Sequence, residues 1–168
     1  MEDPEIPEII MKNINARLEN FDHALIQATR RWHMPFARFA LFLIYFWFGA
    51  LKVFSESPAN PLVNSLLERT LPWMSFSTFI VLFGVFEMVI GITFLIPRLE
   101  RLGVFLLAVH LITTVMPLFV LPAVTWTAPF TPTLEGQYII KNVLIIALAI
   151  GVISNVRSFK EAKMSQNG

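Results

Sequence analysis

The chain has 168 residues, of which 55% are hydrophobic and only 15% are charged, and its formal net charge is +1. In a typical soluble domain about a quarter of the residues are charged, so this composition indicates a membrane protein. The near-neutral charge, without a basic stripe, argues against a nucleic-acid partner. The absence of cysteine excludes disulfides, thiolate nucleophiles and cysteine-held iron–sulfur clusters.

The N-terminal region, residues 1–34, contains a predicted amphipathic helix at about 8–32. Its apolar residues recur at alternating spacings of four and three and are Ile14, Leu18, Phe21, Leu25, Ala28 and Trp32. Such a stripe fits a helix lying on the inner leaflet, and it also fits a seam for a partner protein or a second copy. The start, MEDPEIPEII, is acidic and contains prolines, so we do not expect a signal peptide.

Four apolar segments approach the roughly 20 residues that a helix needs to cross a bilayer. They cover residues 35–54, 76–96, 102–121 and 138–156. Their apolar residues are continuous rather than alternating, which predicts helices and not a barrel. The sequence therefore predicts an all-α, four-helix transmembrane domain over 35–157, followed by a tail at 158–168.

The loops between these segments differ in composition. Residues 55–73 are expected to hold one short helix, from Leu62 to Thr70, and PRLERLG forms a tight hairpin between the second and third spans. The segment 116–137 is rich in proline, so we expect it to be extended or turning rather than helical.

Lysine and arginine residues are distributed unevenly between the two sides. Eight fall on one side: Arg30, Arg31, Arg38, Arg98, Arg101, Arg157, Lys160 and Lys163. The opposite side has Arg69, with Lys52 and Lys141 inside helix ends. The positive-inside rule then predicts that both termini lie in the cytoplasm.

Polar and small residues form one stripe on each predicted span. On the first helix the stripe comprises Arg38, Tyr45, Gly49 and Lys52, and on the second it comprises Gly84, Glu87 and Gly91. The glycines favour close packing of neighbouring helices, so we interpret Arg38, Tyr45 and the three glycines as packing residues. Ionisable residues inside a membrane are costly, and they often mark functional sites.

Glu87 and His110 are predicted to face each other. By helical rise, each lies about 17 Å from the outer end of its span, and the two helices are joined by a short hairpin. The pair is a candidate proton relay. The simpler alternative is a protonated carboxylic acid and a neutral imidazole, each satisfied by a neighbouring group.

A candidate ligand-binding site lies nearer the outer surface. Lys52 and Lys141 are each placed about 3–5 Å below it by helical rise. The proposed ligand-binding residues are Lys52, Glu135, Gln137, Tyr138, Lys141 and Asn142. Both lysines would alternatively snorkel to the interface, and Glu135 would favour the start of the fourth helix through its dipole.

Three segments, YFWFGALKVFSESPANPLVNSLL, GVFEMVIGITFLIPR and PFTPTLEGQYIIKNVLII, resemble the YkgB/RclC group of bacterial inner-membrane proteins, within the wider DoxX-like four-helix families. The similarity covers roughly residues 30–157. The resemblance implies a role in resistance to reactive chlorine species and a link to quinone-dependent oxidoreduction. By position, the resemblance carries over to Gly49, Lys52, Glu87, Glu135, Gln137, Tyr138, Lys141 and Asn142.

The leading functional hypothesis is a stress-resistance protein that binds a quinone or a similar amphiphile in the outer half of the bundle. It has no built-in redox group and no expected metal site, since its three histidines are scattered, so electrons would come from a bound cofactor or a partner oxidoreductase. Two alternatives are a small transporter with Glu87 as coupling carboxylate, and a non-catalytic scaffold recruiting an oxidoreductase through the N-terminal helix.

Overall fold

The computed structural model describes residues 8–54 and 56–156. The predicted tails at 1–7 and 158–168 lie outside the described residues, as does the side chain of Ile14 in the apolar stripe. The chain divides into two compact units, with the boundary between Phe36 and Ala37.

Helices account for almost all of the regular structure. In chain order the elements are α1 (Glu8–Val53), α2 (Asn60–Thr70), α3 (Phe76–Leu95), α4 (Glu100–Val115), α5 (Pro117–Val120), α6 (Pro122–Thr125), β1 (Trp126–Ala128), β2 (Thr131–Pro132) and α7 (Leu134–Ser154). The two short strands pair antiparallel as a hairpin just before α7.

Four helical stretches of the described chain are long and apolar enough to cross a membrane, as the sequence predicts. They are Asn15–Val53, Phe76–Leu95, Glu100–Val120 and Leu134–Ser154. Most residues in each of their most apolar windows are not buried inside the protein, which suits helices whose outer faces contact lipid. The chain is thus a mostly helical, multi-pass membrane protein.

The core of the second unit is made by side chains from its long helices. The largest fully buried side chains are Phe94, Leu41, Ile80, Ile90, Leu107, Val152 and Thr125. Helix α4 packs against both α3 and α7, and a short hairpin with Arg98 at a positive φ of 76° joins α3 to α4. The second and third spans are therefore adjacent in the bundle, as expected.

The boundaries of the first predicted span need correction. Residues 8–32 and the predicted span 35–54 belong to one continuous helix, α1, which runs through Pro35. A proline removes one backbone hydrogen bond, and long helices tolerate this loss where the rest of the ladder is intact.

The prediction for the proline-rich segment 116–137 is wrong in its first half. Two single-turn helices, α5 and α6, begin at Pro117 and Pro122. Proline is favoured in the first turn of a helix, where its missing N–H would have no partner anyway. The third predicted span is divided at Met116 into α4 and α5, which together make up the apolar stretch Glu100–Val120. The short helix predicted between residues 55 and 73 is confirmed as α2.

Hydroxyl side chains cap the helices α3 and α7. Ser75 accepts a hydrogen bond from the Thr78 amide at the start of α3, and Thr133 accepts one of 3.2 Å from the Gly136 amide at the start of α7. Such caps satisfy amides that have no partner inside the helix. Glu135 lies in the first turn of α7, where the helix dipole favours its charge.

Candidate functional site

A cluster of three ionisable side chains lies buried between α1, α3 and α4. Glu87 Oε2 accepts a hydrogen bond of 2.6 Å from Lys52 Nζ, and Glu87 Oε1 lies 2.9 Å from His110 Nε2. Each of the three residues is 5% exposed. We call Lys52, Glu87 and His110 the buried cluster. A carboxylate that bridges two nitrogen groups inside a membrane domain is costly unless both contacts are made.

Two glycines bring α1 and α3 close enough for the lysine contact. A Cβ atom built on Gly49 would lie 2.6 Å from the carbonyl oxygen of Gly84, and one built on Gly84 would lie 2.6 Å from that of Gly49. The two backbones therefore touch at this point. Lys52 and Glu87 each follow their glycine by three residues, one helical turn along the same face. The close approach thus places Lys52 Nζ within reach of the Glu87 carboxylate.

His110 has hydrogen-bond partners on both ring nitrogens. Its Nε2 faces Glu87, and its Nδ1 lies 3.1 Å from Oγ1 of Thr114, one helical turn further along α4. The same Thr114 hydroxyl lies 3.0 Å from the His110 carbonyl oxygen.

This geometry satisfies two protonation states of His110. In the neutral ring, Nε2–H donates to Glu87 and the Thr114 hydroxyl donates to Nδ1. In the imidazolium, both ring N–H groups donate, to Glu87 and to Thr114 Oγ1. The Thr114 hydroxyl then turns to donate to the carbonyl oxygen. Rotation of one hydroxyl therefore lets the ring gain or lose a proton while both of its nitrogens stay hydrogen-bonded.

Aromatic side chains enclose the cluster. The Phe83 ring stacks on the His110 ring with a centroid distance of 5.1 Å and an interplanar angle of 15°. The Tyr45 ring contacts the His110 ring edge-on, with a centroid distance of 5.2 Å and an interplanar angle of 86°. Lys52 Nζ lies 5.5 Å from the Phe83 centroid, within cation–π range. Exclusion of water by these rings strengthens the electrostatic contacts inside the cluster.

The structure confirms one sequence-based contact and corrects another. Glu87 and His110 meet directly, as helical rise predicts, while their role as a relay stays a prediction. The placement of Lys52 in a separate outer level is wrong, because its side chain is buried against Glu87. Helical rise misplaces Lys52 because it assumes that α1 and α3 end at one surface. The packing of Gly49 on Gly84 instead sets the last turn of α1 beside the middle of α3.

The remaining candidate ligand-binding residues lie on α7, away from the cluster. Helix α7 packs through buried Gly136 and Ile139. Tyr138 is 63% exposed, and Lys141 Nζ lies 5.4 Å from the Tyr138 ring centroid. Glu135, Gln137 and Lys141 are exposed, and Asn142 is half-buried with its side-chain amide 3.5 Å from the Tyr138 carbonyl oxygen. Within residues 8–54 and 56–156, no hydrogen bond or ion pair links Lys52 to this group.

A second ion pair joins Arg38 of α1 to Glu100 at the start of α4. Arg38 Nε also donates a 3.0 Å hydrogen bond to the carbonyl oxygen of Phe94, in the last turn of α3. Sequence reasoning assigned Arg38 to packing but overlooked Glu100, since it placed that residue in a loop. Its position in the first turn of a helix, where acidic side chains are favoured, was the available signal.

A hollow of about 470 Å³ lies on the β-hairpin and is lined by Pro122, Trp126, Thr127, Ala128, Pro129 and Phe130. The hollow has no charged side chain among its lining residues. None of the candidate site residues lines it. Among the described residues, no three histidine, aspartate or glutamate side chains come together as metal ligands.

Comparisons with protein-family models, with curated proteins and with solved structures find no match for this chain. The buried cluster is therefore the feature from which a function must be inferred.

Proposed function

We propose that this chain is a small inner-membrane protein of oxidative and reactive-chlorine stress resistance, and that its buried cluster takes up and releases a proton. The observation that supports proton exchange is the pair of hydrogen-bonded states available to His110, between Glu87 and Thr114. A group that only stabilises the bundle needs one satisfied state. A group that exchanges protons needs two of similar hydrogen bonding.

The charges of the cluster suit this task. Lys52 and Glu87 compensate each other as an ion pair, so a neutral His110 leaves the cluster without net charge. When His110 is protonated, the cluster carries one net positive charge, and Glu87, 2.9 Å from His110 Nε2, attracts the new charge. Glu87 thus lowers the free-energy cost of a charged His110 inside a membrane domain. That cost would be higher for a histidine without a carboxylate beside it.

A quinone or a similar amphiphile in the outer half of the bundle is the ligand class that we propose. The exposed Tyr138 and Lys141 carry a phenol and an ammonium group as donors for its carbonyl oxygens. They lie beside exposed Ile140, Val143 and Leu144, which suit an apolar ring and tail. Reduction of a bound quinone to a quinol consumes two electrons and two protons. A partner oxidoreductase would supply the electrons, because the chain lacks a redox group of its own.

The orientation that we propose, with both termini in the cytoplasm, is supported by the excess of lysine and arginine at one end of the spans. A reporter active only outside the cytoplasm should give no signal when fused after Gly168. The same reporter inserted in the hairpin between Trp126 and Pro132 should give a strong signal. The reverse pattern would contradict the orientation.

Glu87→Gln is expected to abolish protection of cells against hypochlorous acid while the protein still folds. Glutamine keeps the shape of the side chain but removes the negative charge that pairs with Lys52 and attracts a protonated His110. Glu100→Gln is the matched control, since it changes a second buried carboxylate paired with Arg38 and outside the cluster. Survival would be measured at matched protein levels in membranes. Equal protection by wild type and Glu87→Gln would refute a proton-handling role.

Three measurements would distinguish the rival functions: analysis of the lipids that are extracted from gently purified wild type and variants, solute flux in liposomes, and protection of cells. Quinone in the extract, at a level reduced by Lys141→Met, would support the proposed ligand. A proton-dependent solute flux in liposomes that requires Glu87 would favour a small transporter, for which a buried ion pair is also a suitable coupling site. Protection that needs residues 8–32 but tolerates Glu87→Gln would favour a scaffold.

A further inference from the structure

The N-terminal part of α1 carries an apolar stripe that is unpartnered within its own unit. The exposed fractions of its large side chains are 50% for Met11, 60% for Leu18, 69% for Phe21, 54% for Leu25 and 63% for Trp32. Values of this size belong to side chains that are not packed into a protein core. Exposed apolar residues in this number on one helix face indicate an interaction surface.

The stripe follows a heptad repeat without interruption. Met11, Leu18, Leu25 and Trp32 recur every seven residues and occupy the a positions. Ile14, Phe21 and Ala28 occupy the d positions between them, by sequence. Most other positions are polar or charged: Lys12, Asn13, Asn15, Arg17, Glu19, Asn20, Asp22, His23, Gln27, Thr29, Arg30 and Arg31. Three heptads of apolar a and d residues are typical of a coiled coil.

The charges that flank the stripe select the partner. In this register Arg17 is a g residue and Asp22 is the e residue of the following heptad. They are five positions apart in the sequence, so they lie about 140° apart around the helix and cannot pair within one chain. In two parallel helices in register, each g residue meets the e residue of the next heptad on the other helix. Arg17 of each copy would then meet Asp22 of the other.

We propose that residues 11–32 form a parallel, in-register coiled coil with a second copy of this chain. Copies inserted in one membrane share an orientation, which agrees with a parallel pair. The twofold symmetry gives two Arg17–Asp22 contacts, one on each side of the apolar seam. A helix lying on a membrane surface would need no such pairing, and its polar face is typically rich in basic residues. Here the polar face carries both signs. This inference does not depend on the proposed function.

Disulfide cross-linking tests the interface directly, because the natural chain contains no cysteine. Phe21→Cys and Ala28→Cys introduce single cysteines at d positions, and His23→Cys and Arg30→Cys are the matched controls on the opposite face. A disulfide requires Cα atoms within about 7 Å. Oxidation in isolated membranes should give covalent dimers at both d positions and at neither control position.

The two d positions also report helix direction. They are seven residues apart, about 10 Å along the helix, so an antiparallel pair would cross-link at no more than one of them. Absence of dimers at both positions, as expected for a helix bound to the inner leaflet, would overturn the proposal. Equal cross-linking at the control positions would overturn it as well, because it would indicate random collision.

A charge exchange tests the partner contact. Arg17→Glu alone should lower cross-linking at Ala28→Cys by roughly three- to tenfold, since two like-charge contacts replace two attractive ones. Asp22→Lys alone should have a similar effect. The double variant should restore the wild-type yield, which a contact within one helix cannot explain at this spacing. Failure of the double variant to recover would contradict the proposed pairing. The readout is independent of stress protection, so failure of the proposed function leaves it unaffected.

Discussion

Glu87→Met is expected to lower the free energy of unfolding by about 3–5 kcal/mol, the range found when one partner of a buried ion pair is removed. The change leaves Lys52 Nζ buried at 5% exposure with no carboxylate to accept its hydrogen bond. It also leaves His110 Nε2 without its acceptor. Methionine fills a similar volume, so the loss is electrostatic rather than a cavity effect.

Lys52→Met is expected to lower the free energy of unfolding by less than Glu87→Met does, because Glu87 keeps its contact with His110. The double variant Lys52→Met/Glu87→Met removes both charges together and should be less destabilised than Glu87→Met alone. The predicted coupling between the two sites is therefore large, about 2 kcal/mol or more, and typical of groups in one buried network. Unfolding of purified protein in mixed micelles measures all four members of the cycle.

The matched control is the double variant Glu87→Met/Lys141→Met. Lys141 is also a lysine in a membrane span, but it is exposed and contacts the Tyr138 ring rather than Glu87. These two changes should add to within about 0.5 kcal/mol, as distant sites do. Additive behaviour of Lys52→Met and Glu87→Met as well would show that the lysine does not pair with the carboxylate.

Sequence reasoning located part of the cluster because its geometry is local. Glu87 and His110 lie on helices joined by a short hairpin, so counting helical rise from a shared end gives their relative level. Lys52 lies before a long connection that includes α2, and nothing in the sequence fixes how far α1 rises beside α3. The glycines that set this level were recognised as packing residues, but their pairing, Gly49 with Gly84, is a tertiary property.

Element boundaries were harder to predict than element types. The apolar runs gave all four spans, since hydropathy over about 20 residues is a strong signal. The prolines led to two wrong predictions. They suggested a break at Pro35, where α1 continues, and an irregular segment at Pro117 and Pro122, where each proline begins a short helix. The effect of a proline depends on its position within a turn, which composition does not reveal.

Gly84→Ala is expected to destabilise the bundle by about 1–3 kcal/mol, the usual cost of overpacking. The added Cβ would lie 2.6 Å from the Gly49 carbonyl oxygen, which is backbone and cannot turn aside. Helices α1 and α3 must then separate. Separation lengthens the contact between Lys52 and Glu87, so stress protection should fall with stability.

Gly151→Ala is the matched control for Gly84→Ala. Gly151 is also a glycine inside a membrane-spanning helix, and a Cβ placed there has no heavy atom within 4 Å. Its replacement should be neutral or stabilising by up to about 1 kcal/mol, since alanine is the better helix former. Unfolding midpoints of the two variants, compared with wild type, separate close packing from intrinsic helix propensity. Equal midpoints for Gly84→Ala and Gly151→Ala would contradict the close approach of α1 to α3, and with it the structural basis of the buried cluster.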